Sequence, residues 1–232
     1  MTPAPFSIGF LLFPRLTQLD LTGPYEILSR MPGAATHLVA KTLDPVRSDR
    51  GLTILPTTTL AACPPLDLVC VPGGPGTNDT VADREILDFL RRSAERARYV
   101  TSVCTGSLTL AAAGLLKGRR AACHWMSRDM LRRFGTEPAA ERVAIDGKFI
   151  TGGGVTAGID FALAVVEQVC GRETAEAIQL GVEYDPHPPI DAGSPERAAP
   201  AVVERVRKAA QPFMRERDAA MTAAAAALDA AW

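Results

Sequence analysis

Apolar positions follow two rhythms along this chain. Ser7 to Phe13 is almost unbroken apolar sequence, closed by Pro14, and Leu66 to Val71 repeats the habit before Pro72-Gly73-Gly74-Pro75-Gly76. Short runs closed by turn residues fit strands buried on both faces, as in parallel sheets. His37 to Thr42 and the β-branched stretch Tyr99 to Val103 read as two further strands. Between them the rhythm turns helical: Ile86, Leu87, Leu90, Ala94 and Ala97 mark one face of a charged segment from Arg84 to Arg98. Tyr25 to Met31 is a predicted helix with Thr22 as its cap and Pro24 in the first turn. Further helices are predicted over Ser107–Ala113, stopped by Gly114, over Trp125–Phe134, stopped by Gly135, and over Ile159–Cys170 and Thr174–Val182. Arg142 to Ile145 and Lys148 to Thr151, joined by Asp146-Gly147, form a hairpin signal.

Strands alternating with helices predict an α/β fold with a mostly parallel central sheet flanked by helices. The 232 residues suffice for one domain with additions. The expected division is an α/β domain over 1–200, ending in a proline-rich loop from Tyr184 to Pro200, and a helical extension over 201–232. That extension has a kink or break at Pro212 and an alanine run at Ala223 to Ala227. It must cover its own domain or a partner subunit.

Composition then narrows the partners. With 47% hydrophobic and 22% charged residues the chain as a whole is not a disordered one. Twenty-five basic against 26 acidic residues give a net charge of −1, without the electrostatic footprint of a nucleic-acid binder. No apolar run reaches the roughly 18 residues that span a bilayer. The first residues lack the basic segment of a signal peptide, so a cytoplasmic protein without membrane contact is expected. Five cysteines without a C-x-x-C pair argue against a disulfide framework or structural zinc. One of them does chemistry, or all five are packing residues.

Cys104 is the candidate. Ser102-Val103-Cys104-Thr105-Gly106 runs from a strand directly into a helix, with small residues two positions either side of the cysteine. This is the spacing of a nucleophile elbow with Cys in place of Ser. The helix N-terminus and its free N–H groups are expected to favour the thiolate. Gly74, after another strand, is expected to pair its N–H with that of Thr105 as an oxyanion-hole-like couple. The other cysteines lie in apolar patterns, in a proline loop (Cys63) or beside His124 (Cys123), and read as packing.

A nucleophilic thiol needs a proton acceptor or donor. Of three histidines, His37, His124 and His187, only His124 sits where it could turn toward the site. Asp20, between Leu19 and Leu21, lies just past the first strand and is either a local cap or a buried carboxyl. Burial would raise its pKa and suit it to proton exchange. Gly152-Gly153-Gly154-Val155-Thr156-Ala157 fits a loose dinucleotide template but follows a hairpin, so its glycines are assigned to tight packing beside the Cys104 pocket.

Pro72-Gly73-Gly74, the Ser102 to Gly106 turn and Thr151-Gly152-Gly153-Gly154 resemble the ThiJ/PfpI superfamily, with its class I glutamine-amidotransferase-like fold. The segment Gln18 to Pro24, the Thr101 to Ser107 run, Glu183-Tyr184 and Ala192 to Pro195 are most similar to its isocyanide hydratase branch. The resemblance runs from about Ile8 to the C-terminal helix. It implies a flavodoxin-like sandwich, a homodimer, and hydration of a small uncharged isocyanide to an N-substituted formamide without cofactor or metal. Cys104 would attack the isocyanide carbon to give a thioimidate, and Asp20 would supply a proton and later orient water. Thr105 would assist through its N–H and hydroxyl, and Gly74, Gly153, Val155 and His124 would line the substrate site. Thr105 stands where peptidase-like members carry His, and no His-x-Glu pair follows residue 151, so peptide and glutamine hydrolysis are disfavoured. The alternatives are a ligand- or redox-sensing protein and a glyoxalase-like thiol enzyme. A DNA-binding sensor would need about 100 residues of helix-turn-helix sequence. Only 32 residues follow Pro200.

Overall fold

The apolar runs become strands. In the computed structural model, which describes residues 5–230, β1 (Phe6–Leu11) leads into α1 (Gln18–Leu28) and β2 (Ala34–Ala40). Three two-residue strands follow: β3 (Val46–Arg47), β4 (Thr53–Ile54) and β5 (Thr58–Thr59). Next come β6 (Leu68–Val71), the one-turn α2 (Thr77–Thr80), α3 (Arg84–Arg96), β7 (Tyr99–Val103) and α4 (Gly106–Ala112). β8 (Arg120–Ala121), β9 (Glu137–Pro138), β10 (Val143–Asp146) and β11 (Phe149–Gly152) precede the closing helices α5 (Ala157–Cys170), α6 (Arg172–Gly181) and α7 (Pro200–Asp229).

Seven strands form one sheet in the order β10-β11-β7-β6-β1-β2-β5, parallel throughout except for β10 against β11. All four residues of β6 are buried, as both-face coverage demands. The unit β1–α1–β2 steps one way along the sheet and β6–α3–β7 the other. Right-handed crossovers therefore place α1 and α3 on opposite faces. The order reverses between β1 and β6, and the crevice at the carboxyl ends of strands at such a reversal is where α/β folds hold ligands.

Three helix expectations are corrected. α1 starts at Gln18, not near Tyr25, and Thr22 and Pro24 lie inside it. Burying Asp20 and Leu21 as well as Ile27 and Leu28 favours the earlier start, and Pro24 forfeits only one backbone bond there. The predicted helix over 125–134 is a 3-10 stretch, Arg128–Phe134, closed by Gly135 in the left-handed region (φ 68°). The break at Pro212 does not occur: α7 continues through it as one element, and Arg217, Met221, Ala224 and Leu228 are its buried positions. The chain's last two residues lie outside the described range. No helix among the described residues is long and apolar enough to cross a membrane.

A very tight approach lies at the start of α4. A methyl group at Gly106 would overlap the Val71 carbonyl oxygen and come within 2.8 Å of that of Pro72. Gly106→Ala must push the β7–α4 turn away from the end of β6. We expect it to cost about 1–3 kcal/mol, measured by urea unfolding at constant m-value, where an unchanged midpoint would refute the packing argument.

Candidate active site

Three strand ends converge where the sheet order reverses. β1 leads into the first turn of α1 with Asp20, β6 into Pro72-Gly73-Gly74, and β7 into Cys104. Cys104 holds φ at 59°, left-handed and uncommon for a residue with a side chain. Its N–H fixes this turn by donating to the carbonyls of Gly153 (2.8 Å) and Gly152 (3.0 Å). The hydroxyls around it are buried and bonded: Ser102 to Ser107 at 2.8 Å, Ser107 to the Ala122 carbonyl at 2.6 Å, and Thr101 to the Val69 carbonyl at 2.8 Å. The turn is rigid because each of these groups has its partner.

Asp20 is fully buried. It does not cap its own helix: its Oδ2 accepts the Gly73 N–H at 3.1 Å, 53 residues along the chain. A side chain at Gly73 would strike the Thr105 N–H at 2.5 Å and Asp20 Oδ2 at 3.0 Å, so only glycine can bring its N–H to this carboxyl. Asp20 Oδ1 has no regular hydrogen-bond partner among the described residues. The Cys104 thiol lies close enough that each group alters the other's proton affinity.

Burial pushes the Asp20 carboxyl up to about 7, against the opposing pull of the Cys104 thiol and the Gly73 N–H. Burial likewise raises the Cys104 thiol well above its ordinary range, and the Asp20 and Cys123 charges add to it. The Thr105 N–H acts the other way but does not prevail. The thiolate expected from the turn is thus corrected: the resting cysteine is a buried thiol. Because the two acids interact, they titrate as a pair. Loss of one proton from the pair, with the Asp20 carboxyl pushed up to about 7, leaves one proton for the two groups.

Cys104 and Thr105 open onto a cavity of about 450 Å³, lined also by Gly74, His124, Val155 and, from α7, Phe213 and Arg217. Asp20 interacts with Cys104 but is itself buried and is not among the residues that line the cavity. Gly153 fixes Cys104 through its carbonyl and lines a neighbouring hollow with Cys123 and His124. Burial and Arg217 lower the His124 pKa, so the ring is neutral, with Nδ1 accepting the Met126 N–H at 3.4 Å. The oxyanion pair does not form as expected. The Gly74 N–H is spent on the Thr105 hydroxyl at 2.9 Å, which is also 2.9 Å from the Thr77 hydroxyl. Of the expected pair only the Thr105 N–H acts on the Cys104 sulfur.

Two contributors were not singled out from the sequence. Gly73, not Gly74, holds Asp20, and the Pro72-Gly73-Gly74 motif alone does not say which glycine does so. Arg217 is 5% exposed, and its guanidinium donates to the Gly74 carbonyl (2.7 Å), Asn78 Oδ1 (2.9 Å) and Ser127 Oγ (3.2 Å). Its signal is helical spacing: it falls between Met214 and Met221 on the seam that Ala224 and Leu228 continue.

The sequence profile described as the DJ-1/PfpI family matches residues 6–168. The chain belongs to the DJ-1/PfpI family. Among its relatives, an isonitrile hydratase of Pseudomonas putida is 53% identical over 222 residues, covering 96% of this chain and 97% of that protein. A crystal structure of a ThiJ/PfpI family protein from Pseudomonas syringae superposes with a TM-score of 0.90 at 44% identity, covering 95% and 94% of the two chains. The HTH-type transcriptional regulator GbdR of Pseudomonas aeruginosa is 34% identical over 189 residues, which is 78% of this chain but 51% of the regulator. DJ-1/PfpI membership agrees with the sheet order and with the mostly parallel arrangement expected from the hydrophobic pattern.

Proposed function

We propose that this protein hydrates isocyanides to N-substituted formamides with Cys104 as nucleophile. The near full-length likeness to an isonitrile hydratase carries this reading. The geometry supports a route for the protons. In the one-proton state Asp20 takes the thiol proton, the sulfur attacks the terminal isocyanide carbon, and Asp20 returns the proton to that carbon. The product is a thioimidate with Asp20 ionised. Asp20 then draws a proton from water as the water adds to the same carbon. Asp20 passes that proton to the nitrogen, the C–S bond breaks as the added hydroxyl becomes the formamide carbonyl, and the hydroxyl proton returns to the Asp20–Cys104 pair. Every proton is accounted for by two groups and one water.

The rest of the cavity supports an uncharged, partly apolar substrate. Val155 and Phe213 offer apolar surface to the substituent, and neutral His124 and the Thr105 N–H are polar groups near the sulfur, while the charged residues Asp49, Arg50 and Arg217 line the same cavity. The two parts of the chain, 1–200 and 201–232, act together, since α7 supplies part of the cavity wall. The protein acts as a cytoplasmic homodimer on this reading, with exposed apolar residues such as Leu180 and Ile190 available to a second copy.

The test is to supply an alkyl isocyanide and methylglyoxal side by side, in water enriched in ¹⁸O. Formamide carrying one ¹⁸O, with methylglyoxal untouched, is the expected outcome. Turnover of methylglyoxal without formamide would replace this reading by a glyoxalase-like one. The partial match to GbdR supports a second reading, a ligand-sensing domain, and specific retardation of duplex DNA would favour it.

A further inference from the structure

We propose that Arg217, brought into the site by the C-terminal helix, is a positioning residue that stabilises the negative charge on the Cys104 sulfur during attack. The inference rests on the reading of Cys104 as the nucleophile. It concerns an element beyond residues 6–168, the span matched by the family profile.

A buried guanidinium is costly unless its charge is compensated. Here its three hydrogen bonds go to a backbone carbonyl, an amide oxygen and a hydroxyl, all neutral. The face of the Phe213 ring lies 4.7 Å away and adds only a weak further attraction. The positive charge is therefore left to act on the cavity it lines, beside Cys104.

The groups that act on the sulfur come from several elements. Asp20 on α1 and Cys123 after β8 both oppose a thiolate. Asp49, from the β3–β4 turn, lines the same cavity and adds negative charge. His124 is neutral. Arg50 lines the rim, but its side chain is 83% exposed and so screened by water. Arg217 is the buried cation in this set; burial lowers its proton affinity, and the charges of Cys104 and Cys123 act to raise it. Its planar fork also ties the Gly74 loop, α2 and the Ser127 segment together. Lysine can supply the charge but not this three-way tie.

The experiment measures the pH dependence of Cys104 alkylation by iodoacetamide in the full chain, located by peptide mass. Arg217→Gln removes the charge and keeps some donors. Arg217→Met removes the charge and replaces it with an apolar side chain, a change that buried ion sites often tolerate. Arg217→Lys keeps the charge. The neutral variants should move the alkylation midpoint up by about one pH unit or more, a roughly tenfold slower reaction at fixed pH. Arg217→Lys should stay close to wild type. Folded neutral variants with the wild-type profile would overturn the proposal, as would a lysine variant shifted as far as the methionine one. Formamide assays run in parallel separate the two readings. A shifted profile without formamide from the wild type removes the hydratase reading alone, and formamide with unshifted profiles removes the role of Arg217 alone.

Discussion

Cys104→Ala is expected to eliminate formamide production, with a loss on the order of 10⁴-fold or more, because no thioimidate can form. The fold should survive. The substitution removes one sulfur atom from a 5%-exposed site and leaves the φ of 59° and both backbone bonds of residue 104 unchanged. A cost of about 1 kcal/mol is the scale for a small cavity of this kind. The measurement is initial rate at matched concentrations of folded protein, with circular dichroism confirming the fold. A second cysteine could not take over, since burial holds Cys70 and Cys123 up at about 12 and neither lines the cavity.

Asp20→Asn is the second large effect. Without a carboxyl the thiol has no adjacent acceptor, and an amide cannot deliver a proton to the isocyanide carbon. A rate loss of roughly 10²–10⁴-fold follows for a group in general acid–base catalysis. The pH profile distinguishes this loss from a structural one. Wild-type kcat/KM should rise with pH through about 7, as the Asp20–Cys104 pair passes from two protons to one. The variant should lack that limb. Stability runs the other way. A buried carboxyl with its pKa raised from 3.8 to about 7 stabilises the fold below the lower value, and that contribution is lost as pH rises toward the upper one. Asparagine carries no such ionisation, so the variant's Tm at pH 8 should not fall below that of the wild type. A variant that is inactive and also much less stable at pH 8 would indicate that Asp20 serves structure instead.

Much of this was legible in the sequence because the hydrophobic pattern follows the sheet. Tyr99–Val103 is β7 at the bounds the β-branched run predicts, and the expected hairpin of β10 and β11 forms, although its two-residue turn is Gly147-Lys148, since Asp146 pairs with Phe149 at the end of β10. The strand-to-helix position of Cys104 was legible too, because a short strand and a following glycine leave the chain few other paths. Asp20 was legible as a candidate but not as a helical residue. Pro24 looks like a helix start, and only the burial of Asp20 and Leu21 against the strand ends shows that the helix begins earlier. The thiolate expectation failed for a related reason: local N–H groups can be read from the sequence, whereas the desolvation of a cysteine at 5% exposure depends on everything packed around it. Gly74 was expected to pair its N–H with that of Thr105, and the contact of Gly73 with Asp20 was not foreseen, because adjacent glycines differ only in direction. Arg217 lies 113 positions beyond Cys104, and no local pattern connects the two.

The central claim is that isocyanide carbon becomes bonded to the Cys104 sulfur before water reaches it. Acid-quenching the enzyme during turnover of an alkyl isocyanide and weighing its peptides tests this directly. The account predicts a mass gain equal to one isocyanide molecule, confined to the peptide that contains Cys104 and absent from the Cys104→Ala variant. An adduct on any other residue, or formamide accumulating at the wild-type rate from Cys104→Ala in the same experiment, would contradict it.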